Sequence, residues 1–182
     1  MKLSLIIAVC AGLLLSGAAQ SDEIRLNQYF SGNEHLTMVD TNGDMIYAAA
    51  GDFQVRGNLG RAVTHSITEF TDFMPYGVAG CELRAVLVFQ NFVETFSDGS
   101  MLFFMTTEGF NCINTTTGDV GGELKGIFLG GTGRFEGATG TWKLYYDAYP
   151  FSLGMTAFTG RVRGKVEVPY GFDDDDSDSD SD

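Results

Sequence analysis

A glycine-dense stretch at residues 130–140 constrains the fold more than any other part of the sequence. It reads Gly-Gly-Thr-Gly-Arg-Phe-Glu-Gly-Ala-Thr-Gly, with five glycines in eleven residues. Such a density excludes a regular helix or an ordinary strand interior, because glycine weakens both. Alternating apolar segments flank the stretch, so we predict a tight corner between two strands. The structural residues of this corner are Gly130, Gly131, Gly133, Phe135, Gly137 and Gly140, with Phe135 turned inward beneath it.

The rest of the chain reads as extended segments. The clearest spans residues 158–168, where apolar or small side chains alternate with charged ones, the period of a strand with one buried face. Further strands are predicted at residues 24–30, 45–55, 61–70, 82–96, 101–107, 120–129 and 141–147. Ser-Gly-Asn at residues 31–33 is expected to break the first of them, and residues 72–80 are expected to be a loop. We therefore predict an all-β domain: a single antiparallel β-barrel of about eight strands. A barrel of that size has room for one small ligand, and the many aromatic side chains could either line or fill it.

Residues 97–100, Ser-Asp-Gly-Ser, predict a tight hairpin turn. With the turn centred on Asp98 and Gly99, cross-strand partners sum to 197 in residue number, and Cys112 faces Ala85. Cys81 then lies four residues out of register with Cys112. In an oxidising compartment a disulfide between them is the simplest outcome, with two buried thiols or a reactive Cys81 as the alternative.

The first 19 residues have the pattern of a signal peptide. Lys2 is followed by an apolar run to Leu15, too short to span a bilayer, and by small residues at 16–19. We therefore predict a secreted protein without a membrane segment after cleavage. Its barrel domain is expected at residues 20–172.

The chain carries a net charge of −13, of which seven negative charges belong to Asp residues after Phe172, leaving −6 for residues 1–172. This balance argues against nucleic-acid binding, which needs a basic surface. The Asp/Ser run at residues 173–182 is expected to be disordered. It is either a solubilising tail or a weak binding segment for calcium, a mineral surface or a basic partner.

Metal ligands are sparse. The two histidines, His35 and His65, are thirty residues apart, and His65 is expected to face solvent or the lumen. Residues 40–44 imitate the start of a calcium loop, but Met45 stands where that loop needs glycine. We predict a polar turn there, and no metal site or cofactor.

Asn114 begins an Asn-Thr-Thr glycosylation sequon in a polar loop. Its use depends on the organism, and the sequence also leaves open whether identical chains associate.

The segment from residue 130 to residue 144, which ends in Thr-Trp-Lys-Leu, resembles the glycine-rich corner of the allene oxide cyclase-like barrel superfamily. That grouping includes allene oxide cyclases, dirigent proteins and secreted microbial barrels, and the resemblance covers roughly residues 98–168. It implies a barrel that can steer a reactive intermediate by its shape. The glutamate that the cyclases carry in the first strand is not evident, since Asn27 and Gln28 stand there. Gly80-Cys81 is similar to the position of the cyclase cavity cysteine.

Glu94 is the weak catalytic candidate, because it is the one carboxylate inside a strongly apolar strand. If buried, it would have a raised pKa and could act as an acid; an outward-pointing Glu94 is the preferred interpretation. We predict a secreted barrel that binds a small apolar ligand or acts without catalysis. A cyclase- or dirigent-type activity and a matrix role of the acidic tail are the alternatives.

Overall fold

The structure, a computed structural model, describes residues 21–43, 45–152 and 154–169. The predicted signal peptide and the Asp/Ser run lie outside these ranges. The described residues form nine strands and one short 3-10 turn: β1 (Asp22–Leu36), β2 (Ala49–Gly57), β3 (Gly60–Phe70), β4 (Met74–Val78), β5 (Cys81–Phe96), β6 (Met101–Ile113), β7 (Val120–Thr132), the turn Gly133–Phe135, β8 (Thr139–Ser152) and β9 (Met155–Val168). In the described part of the chain, no helix has the length and apolar character needed to cross a membrane.

The strands form one antiparallel sheet that closes on itself. Their order is β3-β2-β1-β9-β8-β7-β6-β5, and a β3–β5 pairing joins the two ends of that series. β4 lies outside the ring and pairs with β5. The predicted all-β antiparallel barrel of about eight strands is therefore confirmed, with one additional short strand.

Side chains alternate between the lumen and the outer surface. In β8, every second residue from Trp142 to Ala148 is buried and the residues between them are exposed. β9 places Val162, Val166 and Val168 inside, with the charged residues of residues 161–167 on the other face, as the period of two predicted. Aromatic rings fill much of the interior: Phe92 stacks on Phe104 with ring centroids 4.6 Å apart.

The glycine-rich corner closes one end of the barrel. Gly130 and Gly133 have φ angles of 108° and 60°, a region that side chains disfavour. The short turn between β7 and β8 lowers Phe135 into the barrel, where it is fully buried against Phe96 with ring centroids 4.7 Å apart. The predicted inward position of Phe135 is therefore confirmed. We call this the closed end; the opposite end, where β1 ends and β9 begins, is the open end.

Several predicted element boundaries were wrong, including the start of β2, which is Ala49 rather than residue 45, and the end of β6, which is Ile113 rather than residue 107. β1 does not end at Phe30 but continues through Gly32 to Leu36. Gly32 does not break the strand; it lets the strands approach closely, because a Cβ there would collide with the backbone oxygen of Asp52 in β2. The predicted loop at residues 72–80 contains the short strand β4, which pairs at the edge of β5.

The hairpin turn between β5 and β6 is present, but its register differs by one residue from the prediction. Arg84, not Ala85, lies opposite Cys112, and Thr95 lies opposite Met101. The predicted disulfide between Cys81 and Cys112 is confirmed, with a Cα–Cα distance of 5.2 Å. Cys81 begins β5 directly after the chain turns back from β4, so the bridge lies at the open end.

Candidate functional site

The barrel lumen contains a small group of polar side chains among apolar ones. Five of them face one cavity from β1, β3 and β5, and we call them the lumen site: Gln28, Glu34, Thr64, Gln90 and Glu94. The aromatic wall around them includes Phe30, Phe53, Phe92, Phe104, Tyr146 and Phe158. The cavity between these side chains has a volume of about 50 Å³.

Glu94 points into the lumen, so the interpretation that it faces solvent was wrong. Only 3% of its surface is exposed. Gln28, on β1 across the barrel, donates a hydrogen bond of 2.7 Å from its Nε2 to Glu94 Oε1. The alternation that buries Phe92 and Phe96 in β5 also places Glu94 on the inner face. That alternation is visible in the sequence and could have assigned the orientation.

Thr64 lies opposite Glu94 in the β3–β5 pairing and is 4% exposed. Its hydroxyl Oγ1 is buried and has no hydrogen-bond partner among the residues that the structure describes. A buried hydroxyl without a partner is destabilising by roughly 1–3 kcal/mol. Thr64 and Glu94 together therefore offer an unused donor and acceptor beside the cavity.

Glu34 enters the lumen nearer the open end, from the part of β1 that sequence analysis missed. Its Oε1 is 3.4 Å from the hydroxyl of Thr68, which donates to it. Thr68 in turn accepts from Gln90, and Gln90 accepts from Thr106 at 2.6 Å. This chain of hydrogen bonds fixes the position of Glu34. The only signal in the sequence was the alternation Phe30, Gly32, Glu34, which the apparent turn at residues 31–33 concealed.

Burial changes the acidity of both lumen carboxyl groups. Removal from water raises the pKa of Glu94 to about 7, although the Gln28 amide and the Arg134 charge oppose the shift. Burial likewise raises the pKa of Glu34 to about 7, against the effect of the Thr68 and Ser66 hydroxyls. The pKa of Tyr146 is raised by burial and by the nearby Glu34 charge. Near neutral pH each carboxyl group can therefore both donate and accept a hydrogen bond.

This acidity predicts an unusual dependence of stability on pH. With its pKa raised in the folded barrel, Glu94 binds more protons folded than unfolded between pH 4.5 and about 7, so its contribution to stability falls as pH rises through that window. Since a difference of 1 in pKa corresponds to about 1.4 kcal/mol, the loss is about 3 kcal/mol. Urea unfolding of the wild type and of Glu94→Gln at several pH values measures it.

As pH rises from 4.5 to 7.5, the free energy of unfolding of Glu94→Gln should increase relative to that of the wild type. Glu136→Gln is the control, because Glu136 is exposed at the corner. A pH-independent difference between the wild type and Glu94→Gln would show that Glu94 titrates normally.

The other predicted site residues lie away from the lumen site. The Cys81 sulfur belongs to the disulfide, so the similarity to a cavity cysteine is structural only. His65 faces solvent, which is one of the two orientations predicted for it, and its Nδ1 contacts the carboxylate of Asp52. The turn at residues 40–43 is closed by Asp40, whose Oδ1 accepts from the backbone N–H of Gly43 at 2.6 Å.

Asn114 lies in the loop that connects β6 and β7. Its Oδ1 accepts backbone hydrogen bonds from Thr116 and Thr117, at 3.0 and 3.1 Å. Neither bond involves the side-chain nitrogen, which is the atom to which a glycan would be attached. Glycosylation at Asn114 stays a prediction.

Comparison with known proteins gives similarity of structure only. No protein-family model and no curated protein sequence matches the chain. Among solved structures, the pterocarpan synthase dirigent protein GePTS1 is similar over 82% of this chain and 92% of its own, at 16% identity and a TM-score of 0.46. The pterocarpan synthase dirigent protein PsPTS1 is similar over 82% of this chain and 96% of its own, at 17% identity and a TM-score of 0.42. At these identities and TM-scores the similarity supports no conclusion about family, ligand or activity. The antiparallel β-barrel predicted from the sequence is the fold that the strand pairing itself shows.

Proposed function

We propose that the barrel binds a small, mostly apolar molecule carrying one oxygen function, held in the lumen by Glu94 and Thr64. The observation that carries this proposal is a carboxyl group with a pKa near 7 in an aromatic lumen, beside a buried hydroxyl without a partner. Apolar side chains at both positions would stabilise the barrel better. Groups that are unfavourable for stability in this way cluster at binding and catalytic sites.

The size of the lumen limits the ligand. A cavity of about 50 Å³ accommodates a few water molecules. A benzene-sized ring needs roughly 150 Å³, so such a ligand must displace an aromatic side chain on entry. Phe70 and Phe158 line the cavity and are only partly buried, which makes the open end the natural route. A ligand that enters the lumen would also displace the water that such a cavity can hold.

Trp142 provides a direct measurement of this binding. It is the only tryptophan, and its ring packs against Phe92 and Phe104 at centroid distances of 5.7 and 5.6 Å. Titration with small cyclic ketones and alcohols should change its fluorescence. Glu94→Gln should weaken binding about tenfold, the effect of one hydrogen bond, whereas Glu136→Gln should not.

Native mass spectrometry of the secreted protein complements the titration, because it detects a small molecule retained from the host. An unchanged Trp142 signal with every probe and no retained molecule would contradict the proposal. That result would favour a filled barrel without a ligand, and with it the non-catalytic extracellular function.

Catalysis is the second candidate function, and the raised pKa of Glu94 favours it specifically. Once a bound intermediate has displaced the water of the lumen, a neutral carboxyl group there can protonate an oxygen of that intermediate and recover the proton afterwards. The aromatic wall would then fix the conformation in which the intermediate cyclises or isomerises. In that case Glu94→Gln abolishes turnover of such a substrate while reducing its binding only modestly.

We infer that the protein works in an oxidising compartment and is secreted. The Cys81–Cys112 disulfide supports the compartment, because such bonds persist outside the reducing cytosol. The signal-peptide pattern of residues 1–19 supports secretion. The intact mass of the secreted protein tests cleavage near residue 20, the disulfide and a glycan at Asn114 together.

A further inference from the structure

The outer surface of three neighbouring strands carries an uneven distribution of charge. Where β1, β9 and β8 run side by side, their outward residues form three consecutive rows across the sheet. Five of these nine positions hold a lysine or arginine and none holds a carboxylate. We call these five residues the basic face: Arg25, Lys143, Arg161, Arg163 and Lys165.

Acidic residues lie at the border of the basic face, but they do not pair with most of its cations. Lys165 pairs with Glu23 in the row below, at 2.8 Å, and Arg161 donates to the amide oxygen of Asn27 at 2.7 Å. Among the described residues, Arg25, Lys143 and Arg163 have no carboxylate within 4.0 Å.

Such a surface is unexpected in this chain. With a net charge of −13, the chain has more than twice as many acidic residues as basic ones. Mutual repulsion disfavours neighbouring cations, and among the described residues only Lys143 of the three unpaired ones has a nearby carboxylate, that of Glu108. Two open grooves of about 380 and 370 Å³ flank the β9 side chains of this face.

We propose that the basic face binds the chain's own Asp/Ser segment, residues 173–182. That segment follows β9, the central strand of the face, and contains seven Asp in ten residues. Only residues 169–172 separate it from the end of β9, and this connection contains Pro169 and Gly171, residues typical of a chain reversal. Ten extended residues span about 33 Å, more than the roughly 13 Å from Lys165 to Arg161 along β9.

Amide chemical shifts measured by NMR test this proposal on the full chain. Deleting residues 173–182 should shift the amide signals of β8 and β9 around Lys143 and Arg163. The same shifts should arise when the full chain is moved to 500 mM salt, because screening weakens contacts between exposed charges. A variant with all seven Asp replaced by Asn controls for length, and should behave like the deletion.

A synthetic peptide of residues 170–182 gives a second measurement. It should bind the deletion variant, and bind it at least about tenfold more weakly at high salt or after Arg25→Gln, Lys143→Gln and Arg163→Gln together. Arg84→Gln, on β5 and therefore four strands away from β9 in the ring, is the control and should change binding by less than about threefold. The full chain should bind the peptide more weakly, because its own segment competes.

Three results would overturn the proposal. Shifts confined to residues next to the deletion would mean that the segment does not contact the face. Shifts that disappear on dilution, with a dimer seen by sedimentation, would mean that the segment binds a second copy. Equal peptide binding by the full chain and the deletion variant would leave the face free for an anionic partner from outside.

Discussion

Replacing Phe135 by Ala is expected to lower the free energy of unfolding by about 3–5 kcal/mol, the usual effect of removing a fully buried aromatic ring. Its ring packs on Phe96 in the closed end of the barrel, and the Arg134 guanidinium lies 4.9 Å from the ring centroid. Backbone hydrogen bonds from Glu136 to Gly133 and from Ala138 to Phe135 hold the corner, so the surrounding chain should collapse only partly into the space. Urea unfolding of purified variants measures the loss.

Leu129→Ala is the control for this prediction. Leu129 lies in β7, just before the corner, but its side chain is 54% exposed, so its removal should change stability by less than about 0.5 kcal/mol. A loss below 1 kcal/mol for Phe135→Ala would show that the corner closes the barrel without its aromatic side chain.

Removing the disulfide, by Cys81→Ala with Cys112→Ala, is expected to lower the free energy of unfolding by about 3–4 kcal/mol. The bridge joins residues 31 apart in sequence, and the loss follows from the extra freedom of the unfolded chain once that loop is open. Reduction of the wild-type protein should give a similar loss, which serves as the internal control.

Because the bridge lies at the open end and outside the lumen site, the refolded cysteine variant should still respond to lumen ligands through Trp142. Loss of that response in a correctly folded variant would contradict the structural role assigned to Cys81. It would favour the cavity-cysteine interpretation instead.

The sequence was sufficient for the parts of the fold that depend on local patterns. The alternation of residues 158–168 predicted β9 and its inner face, and the glycine-rich corner predicted the position of Phe135. Tertiary context was needed where glycine has two opposite uses. Gly32 resembled a strand break, but its small size is required by the approach of β2, which no local pattern reveals.

The site was harder to predict from the sequence than the fold, because it too depends on tertiary context. Glu94 was identified, but its orientation was predicted wrongly, because a carboxylate on an inner face contradicts the general preference for burying apolar groups. Thr64 and Gln28 form a site with Glu94 only because β3 pairs with β5 and β1 faces them across the lumen. That arrangement follows from the closure of the barrel.

Closure of the ring depends on β1 and β9, which pair along nearly their whole length, from Asp22 opposite Val168 to His35 opposite Met155. During synthesis β1 therefore cannot form this pairing until β9, about 130 residues later in the chain, has been made. Until then the growing sheet has an exposed hydrogen-bonding edge that can join another chain. The rate of folding should be limited by the pairing of β1 with β9, and shortened chains that lack β9 should aggregate.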